Sequence, residues 1–65
     1  MMQAQVNSLM ATADAARIIG VTPAMVRIYA NTGKLPIAER TPGGIRLFRR
    51  RDVEAFRRQR EERRE

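Results

Sequence analysis

A chain of 65 residues has room for one domain and no more. It contains neither cysteine nor histidine, so a disulfide framework and a thiolate zinc site are excluded, and the commonest general base is missing; no catalytic activity, cofactor or metal is expected. Thirteen Arg plus Lys against seven Asp plus Glu give a net charge of +6, and ten Arg lie from Arg40 onward, so the positive field belongs mainly to the second half and calls for an anionic partner.

Residues 1–8 are polar without a period and read as a flexible tail, leaving 9–65 as the domain. The start has no basic stretch leading into an apolar one, and no apolar run approaches the ~20 residues of a membrane span. No membrane partner is expected, and the location is expected to be cytoplasmic.

Thr12 has the chemistry of an N-cap, and Asp14 follows in the first turn, where the helix dipole favours an anion. Ala15, Ala16, Ile18 and Ile19 supply an apolar side and Gly20 a left-handed end, which predicts a helix over about 13–19. A second start follows at once: Thr22 as N-cap and Pro23 at the first helical position. Met25, Val26 and Tyr29 share one side, and Gly33 closes this helix, predicted over 23–31. Two short helices joined by Gly20-Val21-Thr22 have the turn length and composition of a helix-turn-helix.

After Leu35-Pro36, two extended stretches flank Pro42-Gly43-Gly44, which predicts a hairpin over 37–48. The last stretch, about 51–64, reads as a helix with Val53 and Phe56 reaching the core and Glu54 paired with Arg58. Beyond Phe56 it has no apolar residue, so it offers no seam for a dimeric coiled coil. The fold class is therefore mostly α with a small β-hairpin.

With Met25, Val26 and Tyr29 inward, helix 23–31 turns Ala24, Arg27 and Asn31 outward. Arg suits guanine edges, Asn suits adenine, and a small residue lets the backbone come close, so this face fits a DNA major groove. Thr22 and the first N–H groups of that helix suit a phosphate, although Thr22 also serves as a plain cap. Around the hairpin tip, Arg40, Thr41, Gly43, Gly44 and Arg46 combine glycines that admit a close backbone with cations that suit a narrow minor groove. The run Arg49, Arg50, Arg51 repels itself unless anions lie nearby, and backbone phosphates would supply them. The plainer readings are a polar helix face, a turn that merely needs glycine, and a solvated basic helix. The aromatics Tyr29, Phe48 and Phe56 fit a core better than a base-stacking platform, which counts against single-strand binding.

Taken together, residues 10–23, Val26-Arg27, Gly33-Lys34-Leu35-Pro36, Arg40 to Gly44, Arg46, Phe48 and residues 52–56 resemble the MerR-like and excisionase family of winged helix-turn-helix domains. The resemblance covers about 9–56. It implies a recognition helix in the major groove and a hairpin wing on flanking backbone or minor groove, and it adds Tyr29 to Thr22, Ala24 and Arg27 on the helix. The chain departs from that pattern at Ile45, where a basic residue or histidine is usual, at Tyr29, where Trp is frequent, and at Ile28, where a second cation is frequent. The expected partner is double-stranded DNA, with copies associating in tandem along it. The roles left open are a small transcriptional regulator or excisionase-type factor, the DNA-binding part of a phage terminase small subunit, and a fragment of a larger MerR-type regulator. An RNA-binding or membrane-surface peptide over 51–64 is a weaker alternative, since that helix has no apolar face beyond Phe56.

Overall fold

The computed structural model describes residues 8–63. Six elements follow one another: β1 (Leu9–Ala11), α1 (Thr12–Ile19), α2 (Pro23–Asn31), β2 (Glu39–Arg40), β3 (Arg46–Arg49) and α3 (Arg50–Arg63). The three strands form one antiparallel sheet in the order β1-β3-β2, and α1 packs against both α2 and α3. This is a winged helix-turn-helix.

The turn between α1 and α2 forms as its residues dictate. Gly20 adopts φ +88°, a region L side chains rarely enter, and its N–H donates to Ala16 O at 2.8 Å. Thr22 Oγ1 then accepts from the Met25 N–H at 3.2 Å, with Pro23 in the first turn, so α2 starts one residue later, as expected. Its far end is closed by Tyr29 O, which accepts from both Lys34 and Leu35 N–H. That reversal drops Leu35 fully into the core.

The core joins Ala15, Ala16 and Ile19 of α1, Val26 and Ala30 of α2, Leu35, Phe48 of β3 and Val53 of α3. Phe48, Leu35, Val26 and Val53 are its largest fully buried side chains. No polar or charged residue is buried among the described residues, so this small interior rests on apolar contact alone. Ile18, expected on the apolar side of α1, and Phe56, expected to reach the core, are half-buried and pack against it.

Three local expectations are corrected. Thr12 is not the cap of α1: the cap position is Ala11, extended at φ −84° and ψ 175°, with no side-chain hydrogen bond. The reason is β1, which pairs Leu9, Met10 and Ala11 with Arg49, Phe48 and Leu47 and so carries the chain straight into the helix. Three residues without a flanking turn give no strand signal of their own. The wing is the expected two-stranded pair, β2 with β3, and β1 adds a third strand to its sheet. Residues 1–7 of the expected tail lie outside the described residues, whereas Ser8 O accepts from the Arg50 N–H at 2.9 Å. Finally, Glu54 pairs with Arg50, not Arg58: Arg50 Nε donates to Glu54 Oε2 at 2.9 Å. The last helix starts at Arg50, and this places a cation one turn before Glu54 as well as one turn after it.

Candidate nucleic-acid interface

The outward side of α2 carries Ala24, Arg27 and Asn31, all exposed, while Val26 and Ala30 are buried on the opposite side. At ~100° per residue, Ala24, Arg27, Ile28 and Asn31 fall within about 100° of arc. α2 contains no acidic residue, so nothing on this helix opposes a polyanion.

The wing forms around a turn over residues 41–44, closed by Gly44 N–H to Thr41 O at 2.8 Å. Gly44 follows at φ +90°, the left-handed residue of a three-residue hairpin loop. Thr41 staples the tip twice more: its N–H donates to Ile45 O, and its hydroxyl oxygen accepts from the Ile45 N–H. Gly43 and Gly44 are exposed at that tip, so a phosphate or groove wall can approach the backbone.

β2 and β3 pair Arg40 directly with Arg46. Like charges facing across a strand pair are unfavourable. Part of this strain is relieved sideways. Arg46 stands two residues before buried Phe48 on β3 and so shares its face, turned toward the helices, and its Nη2 donates to Asn31 Oδ1 at 2.9 Å. Its Nε is buried with no hydrogen-bond partner among the described residues. The two candidate surfaces, helix face and wing, are therefore tied to each other by one bond between residues 15 apart in sequence.

The remaining candidates are placed differently. Tyr29 is half-buried, with its ring 4.7 Å from that of Phe56 at 52°, so it braces α2 against α3. Arg49 is exposed at the end of β3, opposite Leu9. Arg50 is half-buried and held by Glu54; it borders an open cleft of about 320 Å³ together with Ser8, Asp14, Arg17 and Ile18. In that cleft Arg17 pairs with Asp14. Arg50 thus stands beside α1 and the start of α3, not on the wing.

Two features were not read from the sequence as parts of the interface, although Ile28 and Ile45 stood out there as departures from the family pattern. The Asn31–Arg46 bond has no local signal, because only the tertiary fold brings the end of α2 to the base of the wing. Ile28 and Ile45 are large apolar residues that are 50% and 55% exposed, one on the outward arc of α2 and one at the wing tip. A helical wheel places Ile28 outward, and that signal was present in the sequence.

A helix-turn-helix domain family model matches residues 9–61, which takes in every element from β1 to the greater part of α3. The chain belongs to this family. It is the excisionase-like, MerR-type class of small helix-turn-helix domain, as the sequence pattern implied, and DNA binding is the activity such a domain carries. Searches of curated proteins and of solved structures returned no match. Among the described residues, this helix-turn-helix domain has no group of three or more acidic side chains placed to hold a metal ion. No helix among them is long and apolar enough to cross a membrane.

Proposed function

We propose that this helix-turn-helix domain binds duplex DNA sequence-selectively, as a small transcriptional regulator or an excisionase-type recombination and architectural factor. In this reading α2 enters the major groove, where Arg27 and Asn31 meet base edges, Ala24 admits the backbone, and Thr22 with the first N–H groups of α2 meets a phosphate. The wing lies on the flanking backbone or minor groove through Arg40, Thr41, Gly43, Gly44 and Arg46. Tyr29 contributes through its outer edge, and Arg49 and Arg50 add backbone contacts.

The observation that carries this reading is the Arg46–Asn31 hydrogen bond. It ties the acid-free face of α2, with Arg27, to the wing that carries Arg40 and Arg46. A contact surface of fixed internal geometry is what groove readout demands, whereas a loosely held basic patch would serve only nonspecific attraction. The excess of positive charge, +6 over the whole chain, supports the same partner.

The test is equilibrium binding to duplexes recovered from a randomised library, measured over a range of salt. If about five to seven phosphates are neutralised, log K falls against log salt with a slope of roughly −4 to −6. The recovered duplexes should also outcompete random duplex. A slope near zero, tighter binding to single strands, or no preference among duplexes would refute it.

A further inference from the structure

We propose that Ile28 is a specificity residue that reads the 5-methyl group of a thymine in the major groove. The inference rests on the proposed role of α2 and goes beyond it, by naming a base and an atom. Ile28 leaves half of its surface in contact with water, while the core of this small domain is built from side chains no larger than Phe48. Exposed β-branched side chains gain nothing for a helix by propensity. Burial elsewhere in the chain does not explain it either, since Ile28 is not among the residues packed against the core.

Its neighbours fix what would cover it. On the outward arc of α2 it stands beside Arg27, one turn beyond Ala24 and just short of Asn31. An occupant must satisfy a cation and an amide on one side and an apolar β-branched surface on the other, with no acidic residue on this helix to attract a cationic protein. A duplex groove floor offers that combination: guanine and adenine edges for the polar pair, and the thymine methyl as the one apolar projection of a base pair. Asn31 accepts from Arg46, so the wing fixes this end of the arc, and the position of Ile28 over the groove is set by the same frame.

The experiment uses the whole chain and the duplex it selects from a randomised library. Each thymine of that duplex is replaced in turn by deoxyuridine, which removes only the methyl group. Binding is measured for the wild-type chain and for Ile28→Ala and Ile28→Val. At one position the wild type should lose about fourfold on the uridine duplex, the worth of one buried methyl-sized group. Ile28→Ala should bind the thymine duplex more weakly and be indifferent to uridine at that position alone, and Ile28→Val should fall between. Because Ile28 is exposed, both variants should keep the wild-type circular dichroism spectrum and melting temperature. A selected duplex without thymine under α2 overturns the proposal, as does an Ile28→Ala variant that keeps the full wild-type uridine loss at every position. So does an Ile28→Ala variant that loses equally on every duplex, or one whose oligomeric state changes, which would make Ile28 a protein contact. If the wild type selects no duplex at all, the proposed function fails first and this inference with it; if it selects one and the uridine pattern is unchanged by Ile28→Ala, only the inference fails.

Discussion

Cutting the link between the recognition helix and the wing gives an asymmetric result that can be worked out in advance. Arg46 Nη2 and Asn31 Oδ1 form one charge-assisted hydrogen bond at 2.9 Å. Such bonds contribute about 1.5–3 kcal/mol when sheltered, and Asn31 is exposed, so water competes and about 1 kcal/mol is the fair figure. Asn31→Ala should therefore cost about 1 kcal/mol, a fall in Tm of roughly 4–8 °C for a domain of this size. Arg46→Met should cost less, although it removes the same bond. It keeps an apolar stem beside Phe48, removes a buried Nε that has no hydrogen-bond partner among the described residues, and ends the repulsion from Arg40 across the strand pair. In the Arg46→Met background, Asn31→Ala should then be nearly silent. Thermal and urea denaturation of the four proteins, followed by circular dichroism, measures the cycle. A coupling below about 0.3 kcal/mol, the scatter of independent sites, or an Arg46→Met loss larger than that of Asn31→Ala would refute the reasoning.

Thr22→Ala removes the acceptor for the Met25 N–H and should destabilise by about 0.5–2 kcal/mol; a melting curve unchanged from wild type would show that the cap contributes nothing. On the proposed interface, Arg27→Ala should cost about 1–3 kcal/mol of binding and relax preference at one base pair, whereas Arg50→Ala should weaken selected and random duplex alike. Competition binding with both duplexes separates the two, and equal losses for Arg27→Ala would contradict its assignment to bases. Gly44→Ala forces a Cβ into φ +90° and should cost about 1 kcal/mol or more, with the loss seen as wing fraying in hydrogen exchange at Thr41 and Ile45. The free chain should sediment as a monomer and fill adjacent direct repeats on DNA cooperatively. α3 offers Arg57–Glu61 pairing and exposed Glu62 in place of an apolar seam, and surface ion pairs of about 0–1 kcal/mol act only once DNA has aligned two copies. A stable dimer at micromolar concentration would refute that expectation.

What is local was legible residue by residue. Gly20, Thr22 and Pro23 act within one turn of backbone, through a left-handed conformation, a hydroxyl acceptor and a fixed φ; the helix-turn-helix and the bounds of α2 followed from them. The Pro-Gly-Gly tip gave the wing for the same reason, and the charge excess gave the class of partner. Features that need a partner from elsewhere in the chain became visible only in the folded molecule. Strand β1 exists because β3 supplies its hydrogen bonds, and that pairing moved the start of α1 and left Thr12 without the role its chemistry suggested. Whether Glu54 would meet Arg50 or Arg58 was a choice between two cations at equal spacing, fixed only once α3 was seen to begin at Arg50. The bond from Arg46 to Asn31 joins residues 15 apart, and no period or propensity links them. Short-range sterics and capping are written residue by residue, whereas pairings across the chain depend on where the burial of Phe48, Leu35, Val26 and Val53 brings the elements together.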